Sequence, residues 1–276
     1  MHANPARRRL MRAVPAVALT IGAALAVPLV WAGTAAAASS ATAEVNEYDW
    51  QLDYTAAPGQ RNTATVTASI TEDKSSLVYV IDDIVPITAG HNCAHPDSGD
   101  RTKVSCTVTV VENQDPYAAL VMDLGGGNDK ADYNNDTGQI YSYAQISLGT
   151  GDDEAVSTGS VDGAYISGDA GDDTISVGKY GMAWGNDGND TITADGGDNI
   201  VKGGAGDDVL RGGSGAQDLA GDDGEDHVYG GTGDDTLYGG EDNDVMYGNS
   251  GDDRLYGGPG TDTLSGGPGN NEVHQD

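Results

Sequence analysis

The clearest pattern of apolar and polar positions lies in the C-terminal third of the chain, where an aliphatic residue recurs at every ninth position. Ten such positions follow one another without insertion between Gly185 and His274. They are Ile192, Val201, Leu210, Leu219, Val228, Leu237, Met246, Leu255, Leu264 and Val273. One residue flanks each of them on either side, which predicts a three-residue strand whose middle side chain faces inward. The pattern therefore predicts ten short strands joined by tight turns.

Nearer the N-terminus, apolar and polar residues alternate with a period of two. The clearest runs are 63–70, 77–81 and 104–110. Such alternation between turn residues predicts strands, and we interpret 39–118 as a small β-rich module. Asp82 and Asp83 are neighbouring acids within it. We expect turn residues there rather than an acid/base pair, because no other titratable cluster accompanies them.

The first 38 residues have the layout of an export signal. Several arginines precede an apolar run over 13–33, and an Ala-x-Ala sequence ends at Ala38. This layout predicts a cleaved signal peptide over 1–38 and a secreted, extracellular protein, with no membrane span after its removal. A retained membrane anchor is the alternative, which Pro15 and Pro28 disfavour. The general secretory and twin-arginine routes both stay open.

Two cysteines, Cys93 and Cys106, occur in the module. In an oxidising compartment such a pair predicts one disulfide that closes a loop, worth about 3 kcal/mol by chain-entropy arguments. His91 and His95 flank Cys93, so zinc is the alternative. No fourth ligand is spaced to complete a tetrahedral site, and 96–99 has the composition of a surface loop.

The composition of the chain changes after Ala119. Glycine becomes dominant there, and most of the excess negative charge follows. The chain of 276 residues has a formal charge of −31, with 42 glycines and no phenylalanine. This sign of charge excludes a nucleic-acid partner. It leaves disorder, a solvating tail, or ligands for a hard cation, and the spacing of the acids decides between these.

The acidic residues share the nine-residue period. The sixth position of the ten units holds Asp190, Asn199, Asp208, Gln217, Asp226, Asp235, Asp244, Asp253, Asp262 and Asn271. With glycines at positions one, two and four, the unit is G-G-x-G-x-D-x-U-x, where U is aliphatic, and it defines a regular array over 185–274. Looser copies at 124–129, 148–153 and 168–173 predict a degenerate run-in over 119–184 that joins the module to the array.

Two units, 203–211 and 230–238, match this motif at every fixed position. The array thereby resembles the RTX, or haemolysin-type, calcium-binding repeats. The resemblance implies an all-β fold, a parallel β-roll (RTX solenoid) preceded by the small β module, with two units per coil. It also implies Ca²⁺ as the cofactor, each ion lying between turns two units apart and held by backbone carbonyls and position-six aspartates. The predicted core is thin, and bound Ca²⁺ would supply the missing stabilisation while removing charge repulsion.

In that geometry, units two apart share one edge of the roll. The edge that carries Asp190, Asp208, Asp226, Asp244 and Asp262, here called the intact edge, keeps every carboxylate. The edge that carries Asn199, Gln217, Asp235, Asp253 and Asn271, here called the mixed edge, has lost three. We expect about four ions on the intact edge and one or two on the mixed edge, about five or six in all. Asparagine can still ligate through its amide oxygen, and the longer Gln217 is the more doubtful ligand.

Glycines complete the expected calcium sites, because they allow a positive φ and let carbonyl oxygens converge. The expected glycine ligands are Gly204, Gly206, Gly231 and Gly233. Acids at position five, such as Asp207, Asp234 and Asp252, are expected to be solvated or to lie just outside the ligands. Position nine holds Tyr229, Tyr238, Tyr247 and Tyr256, which predicts two stacked tyrosines on each outer sheet face. These rings could bind a sugar or a partner, or only pack along the sheet.

The sequence predicts a non-enzymatic secreted protein whose calcium-driven folding creates a structural, adhesive or calcium-sequestering module, with a cell-surface or cell-wall partner. The alternative is a secreted hydrolase that carries the roll as an accessory domain. Neither H-E-x-x-H nor G-x-S-x-G occurs in the chain, and about 75 residues before the run-in are few for a catalytic domain. We therefore expect no enzyme.

Overall fold

The computed structural model describes residues 39–111, 115–160 and 163–275, and these residues form strands, turns and loops. The predicted signal peptide, 1–38, lies outside the described residues. The all-β class is confirmed. Within the described ranges, no helix is long and apolar enough to cross a membrane.

Seven strands belong to the N-terminal module. They are β1 (Ala41–Val45), β2 (Leu52–Thr55), β3 (Thr63–Ile70), β4 (Ser76–Asp82), β5 (Ile87–Ala89), β6 (Cys93–Ala94) and β7 (Lys103–Thr109). The three predicted runs of alternating residues lie in β3, β4 and β7. Those three strands pair antiparallel, in the order β3, β4, β7.

Seventeen further strands build the roll. They are β8 (Tyr117–Asp123), β9 (Lys130–Asn135), β10 (Ser142–Thr150), β11 (Glu154–Gly159), β12 (Tyr165–Ala170), β13 (Thr174–Val177), β14 (Met182–Asp187), β15 (Thr191–Ala194), β16 (Asn199–Ala205), β17 (Val209–Gly212), β18 (Gln217–Asp223), β19 (His227–Thr232), β20 (Thr236–Glu241), β21 (Val245–Ser250), β22 (Arg254–Tyr256), β23 (Thr263–Ser265) and β24 (Glu272–His274). The even-numbered strands form one sheet, here the first sheet, and the odd-numbered strands form the second sheet. Consecutive strands therefore enter opposite sheets.

Neighbouring strands of the roll pair parallel, and in the array the register is offset by two units. Leu210 lies beside Ile192 and Val228 in the second sheet, and Leu219 lies beside Val201 in the first. Two nonapeptides thus make one coil, and each sheet of the array has five strands. This confirms the parallel β-roll that the resemblance implied.

The aliphatic positions form the core of the roll, as the nine-residue period predicts. The first eight, Ile192 to Leu255, are buried. Leu264 is partly buried, and Val273 is 47% exposed. Val273 pairs in register with Leu255, and it is exposed because it lies on the outermost strand of the first sheet.

The module and the roll share both sheets. Strand β2 pairs parallel with β8, and β3 pairs parallel with β9, so the module continues the stack of the roll. Strand β8 crosses the predicted boundary at 118. Large side chains, among them Tyr54 and Tyr79, fill the wider core of the module.

A disulfide joins Cys93 and Cys106, which confirms the predicted pairing. It links β6 to β7. Nδ1 of His95 lies 2.8 Å from the Lys103 carbonyl oxygen, and Nε2 of His91 lies 2.8 Å from Oδ1 of Asp49. Because Cys93 is oxidised and both histidines are turned to these partners, this loop does not form the alternative zinc site.

The two adjacent acids of the module differ in their surroundings. Asp82 is the last residue of β4 rather than a turn residue, and its carboxylate lies 2.6 Å from Lys103 Nζ. Asp83 is buried and accepts hydrogen bonds from Tyr54 Oη at 2.5 Å and from the Thr63 N–H at 2.8 Å. Each carboxylate is occupied by structural contacts, as expected for acids that do not form an acid/base pair.

Candidate calcium sites

The turns of the intact edge lead from the first sheet to the second, and each ends in a position-six aspartate. The N–H of Asp190 donates to Oδ1 of Asp208 one coil later, at 2.7 Å. The same bond joins Asp208 to Asp226 at 2.8 Å, Asp226 to Asp244 at 2.9 Å, and Asp244 to Asp262 at 3.0 Å. One carboxylate oxygen of each later residue therefore ties its turn to the preceding turn.

The second carboxylate oxygen has a different environment. Oδ2 of Asp190, Asp208, Asp226 and Asp244 is buried and has no hydrogen-bond partner among the described residues. A buried charged oxygen without a partner is strongly unfavourable, so each of these atoms calls for a positive group. This row of buried oxygens is therefore the candidate position for bound cations.

The first glycine of each unit makes room for that oxygen. A Cβ added to Gly203 would come closer than 3.0 Å to Oδ2 of Asp208 and 2.7 Å from the carbonyl oxygen of Gly221, one coil later. A Cβ on Gly221 would meet Oδ2 of Asp226 and the Gly239 carbonyl oxygen in the same way. Carboxylate and carbonyl oxygens thus converge in a cradle that a methyl group would fill, and such a donor set suits Ca²⁺.

Burial changes the protonation of these acids. It raises the pKa of Asp226 to about 8, with a further contribution from the charges of Asp208 and Asp244. Burial, and then the charges of Asp190 and Asp207 among others, raises the pKa of Asp208 to about 7. The ionised row is therefore unfavourable by itself, and a bound cation would remove both causes.

The four expected glycine ligands all have positive φ, with values of 125° for Gly204, 131° for Gly206, 108° for Gly231 and 130° for Gly233. The carbonyl oxygens of Gly206 and Gly233 face the glycine one coil later, at the position where a Cβ would stand. Gly204 and Gly231 instead lie within β16 and β19. The glycine at position four of the unit thus presents its carbonyl oxygen toward the next turn.

Side chains alone do not complete a metal site in the described part of the chain. There, no group of three His, Cys, Asp or Glu side chains is close enough to hold one ion. Since Ca²⁺ takes six to eight oxygen ligands, backbone carbonyls must supply most of them. This agrees with the ligand set that the resemblance implied.

The mixed edge continues the pattern only in part. The N–H of Gln217 donates to Asp235 Oδ1 at 2.9 Å, and the N–H of Asp235 donates to Asp253 Oδ1 at 3.0 Å. Oδ2 of both aspartates is buried and has no hydrogen-bond partner within the described ranges. Burial raises the pKa of Asp235 to about 7 and also raises that of Asp253. These two residues reproduce the environment found on the intact edge.

Asparagines replace aspartate at both ends of the mixed edge. Asn199 Oδ1 accepts from the Gly181 N–H at 3.1 Å, and Asn271 Oδ1 accepts from the Asp253 N–H at 2.8 Å. Each amide oxygen thus takes over the hydrogen bond that aspartate Oδ1 makes elsewhere. Neither residue can supply the second carboxylate oxygen.

Three aspartates outside the regular array extend the row of the intact edge. The nine-residue period did not predict them. The N–H of Asp129 donates to Asp153 Oδ1 at 2.6 Å, Asp153 to Asp173 at 2.8 Å, and Asp173 to Asp190 at 2.8 Å. Their Oδ2 atoms are also buried without a hydrogen-bond partner in the part of the chain that the structure describes. Burial raises the pKa of Asp153 to about 6 and that of Asp173 to about 7.

The signal for these acids was present in the three looser copies of the motif, each of which ends in one of them. Their separations along the chain are 24, 20 and 17 residues, whereas the array repeats at 18. Loops of different length on the opposite edge absorb the difference. A fixed period of nine residues therefore could not predict their positions in the row.

Position-five residues form a second row on the solvent side. The N–H of Glu225 donates to Asp207 Oδ1 at 3.1 Å, and the N–H of Asp252 donates to Asp234 Oδ1 at 2.9 Å. Asp207, Asp234 and Asp252 are exposed. Their carboxylates support the turns from outside, as expected for acids that are not buried ligands.

The outer faces carry the predicted tyrosine stacks. The rings of Tyr229 and Tyr247 are stacked at 5.6 Å on the second sheet, and those of Tyr238 and Tyr256 at 5.2 Å on the first. His274 extends the latter stack at 5.0 Å from Tyr256. Because stacked rings cover each other's faces, most of the ring surface is used for packing along the sheet.

Comparison with known protein families agrees with this geometry. The family model described as RTX calcium-binding nonapeptide repeat (4 copies) matches 161–179, 184–216, 211–246, 220–255 and 238–273. No curated protein gives a significant match. The matched ranges include the regular array and the last of the three looser copies.

Proposed function

We propose, since the repeats of this chain belong to the RTX calcium-binding nonapeptide family, that the protein is a secreted, non-enzymatic module that becomes rigid on binding Ca²⁺. The match to this family supports calcium binding by the β-roll. Its use outside the cell as a structural, adhesive or calcium-sequestering element is the proposal. The following contacts and charges support it.

The observation that carries the proposal is the row of buried Oδ2 atoms without hydrogen-bond partners among the described residues. When bound, Ca²⁺ supplies the positive charge that these oxygens lack, and the folded protein supplies the carboxylate and carbonyl oxygens that surround it. We place the ligands on the intact edge from Asp129 to Asp244, and on the mixed edge at Asp235 and Asp253. Asp262, the last predicted ligand of the intact edge, is only partly buried, and its Oδ2 accepts from Gln275 Nε2 at 3.3 Å. The array acids are those that the motif predicts, and the run-in acids share their environment.

The thin core explains why folding would depend on the ion. Eight of the ten units of the array bury the aliphatic side chain at position eight, while many acids lie in the same coils. Apolar burial of this extent is too small to offset the loss of chain entropy and the charge repulsion. We therefore infer that binding and folding of the array are coupled.

Secretion is supported by the signal-peptide layout of 1–38 and by the disulfide between Cys93 and Cys106, a bond that persists in oxidising compartments. Millimolar Ca²⁺ outside the cell would keep the sites filled even at the modest affinities typical of extracellular modules. A cell-surface or cell-wall partner fits a rigid module of this kind. The lack of H-E-x-x-H and G-x-S-x-G in the sequence supports a non-enzymatic role over an accessory roll in a hydrolase.

Far-UV circular dichroism of residues 39–276 tests the proposal. The protein is titrated from calcium-free buffer to millimolar Ca²⁺, with Mg²⁺ as the control ion. We expect a cooperative gain of β-structure with Ca²⁺ and little response to Mg²⁺, which prefers a tighter octahedral site. A spectrum that is already folded without Ca²⁺ and does not respond to it would rule out calcium-coupled folding.

A further inference from the structure

We propose that Gln217 takes the place of a calcium ion on the mixed edge, where its side-chain amide joins the turns 194–199 and 212–217. The proposal rests on the calcium-binding function above, because it concerns one of the positions at which the roll would otherwise hold an ion. It makes this coil of the mixed edge independent of metal.

The amide of Gln217 lies among carbonyl oxygens of two successive turns. Gln217 is 3% exposed. Its Nε2 donates to the carbonyl oxygen of Gly196 in the preceding coil at 2.5 Å, and to that of Ser214 in its own turn at 3.3 Å. A further carbonyl, that of Gly215, is 3.5 Å away. Because carbonyl oxygens only accept, the nitrogen end of the amide must face them.

Converging carbonyl oxygens of stacked turns repel one another unless a positive group lies between them. On the intact edge, a bound cation would meet this need. An amide N–H₂ group has two donors that can meet it without an ion. Gln217 Nε2 therefore joins the turns at Gly196 and Ser214 without an ion, while Oε1 of the same amide is buried and has no hydrogen-bond partner among the described residues.

The residues around Gln217 form a poor cation site. The preceding unit of the mixed edge has Asn199 in place of the position-six aspartate and Ala194 in place of the first glycine. The first carboxylate of the mixed edge within the array is that of Asp235, one coil later. A cation between 194–199 and 212–217 would find no position-six carboxylate, since Asp195 and Asp198 of that turn are exposed, and calcium affinity falls as ligand charge is removed.

The extra methylene of glutamine explains the contact. In the regular units, the aspartate carboxylate lies against the first glycine of its own unit. In this unit a Cβ added to Gly212 would be 2.9 Å from Cγ of Gln217, so the aliphatic stem lies where a carboxylate would be. The amide is carried one bond further, to Gly196 in the preceding coil. Asparagine is too short to span the same distance.

A second amide in the protein has the same kind of contacts, at the start of the intact edge. Asn62 is fully buried, and its Nδ2 donates to the carbonyl oxygens of Gln60 at 3.0 Å and Leu124 at 3.4 Å. Its N–H donates to Asp129 Oδ1 at 2.5 Å, so Asn62 precedes the first aspartate of the row. Among the described residues, a buried amide thus contacts turn carbonyls at each edge, and that of Asn62 also donates to Asp129 Oδ1 at 3.4 Å.

Calcium stoichiometry of residues 39–276, measured by equilibrium dialysis with metal analysis, tests the proposal through three variants. Gln217→Asp completes the motif as Gly-Gly-Ser-Gly-Ala-Asp, and we expect it to bind one additional ion per chain. Gln217→Ala removes the amide, and we expect unchanged stoichiometry with a thermal midpoint in saturating Ca²⁺ lower by about 5 °C. Gln145→Ala, at an exposed glutamine of β10, is the matched control and should change neither quantity.

Two outcomes would overturn the proposal. If Gln217→Ala loses one bound ion, the side chain ligates calcium through Oε1, and the proposal is wrong. If Gln217→Asp binds no additional ion, the coil does not have the geometry of a vacant calcium position, and the proposal is also wrong. Failure of the broader function looks different, since the unsubstituted protein would then bind no Ca²⁺ at all.

Discussion

The backbone N–H of Asp208 donates to Oδ1 of Asp226 at 2.8 Å, while Oδ2 of the same Asp226 carboxylate is buried without a hydrogen-bond partner among the described residues. One oxygen thus joins two coils, and the other is left for a cation. This division of roles repeats along the intact edge. One residue type can thus hold the stack together and, under the proposed function, also ligate calcium.

Replacing Asp226 should weaken calcium binding more than replacing an exposed acid nearby. Asp226→Ala removes the inter-coil bond and the buried ligand oxygen, so we expect the calcium midpoint of folding to rise by about tenfold. Asp207→Ala, at position five of a neighbouring unit, is the control and should change it by much less. The measurement is the far-UV circular dichroism titration. Equal shifts for the two variants would show that overall charge, rather than the buried row, controls binding.

A methyl group in the glycine cradle should have a similar effect without removing any charge. In Gly221→Ala the new Cβ would come closer than 3.0 Å to Oδ2 of Asp226 and to the Gly239 carbonyl oxygen. We expect the free energy of unfolding in saturating Ca²⁺ to fall by about 1–3 kcal/mol, with loss of bound calcium. Gly99→Ala, whose Cβ would have one contact, at 3.4 Å, is the control. An unchanged calcium stoichiometry in Gly221→Ala would mean that the cradle does not hold the ion.

Acidification should stabilise the calcium-free roll. Burial raises the pKa of Asp208 to about 7 and that of Asp226 to about 8, from an ordinary value of 3.8. The folded state therefore binds protons more tightly than the unfolded state. Its stability is greatest below about pH 4 and falls as pH rises toward 8.

Far-UV circular dichroism in calcium-free buffer between pH 4.5 and 8.5 checks this dependence. We expect β-structure to be lost as pH rises across the range, and to be lost less steeply in Asp226→Asn, which removes the acid with the most raised pKa. With saturating Ca²⁺ the trend should reverse, because protons then compete with the ion. A calcium-free β-structure signal that grows with pH would contradict the proposed state of the buried acids.

The disulfide should stabilise the module without affecting the calcium sites. It links Cys93 and Cys106 at a sequence separation of 13. We expect the double variant Cys93→Ala/Cys106→Ala to lose about 3 kcal/mol of unfolding free energy by chain-entropy arguments. Calcium stoichiometry should be unchanged, since both residues lie outside the turns of the roll. Loss of bound calcium in this variant would show that the module and the sites are coupled through the shared sheets.

Several features of the roll could be predicted from the sequence, because they depend on a local repeat. The nine-residue period placed Ile192 and Leu210 in the core, and the family resemblance placed units two apart on one edge. In a stack of identical coils, each unit contacts copies of itself, so the pattern of one unit predicts the contacts of the others. The placement of all three position-six amides on the mixed edge followed from the same register.

The tertiary structure decided what happens where the repeat is irregular. Asp129 and Asp153 are 24 residues apart, yet they occupy the same position in successive coils, because loops on the opposite edge vary in length. The use of the Gln217 amide could not be predicted either, since it depends on the position of the Gly196 carbonyl in the preceding coil. Sequence periodicity determines which residues repeat, whereas the distances between coils determine which of their polar atoms meet.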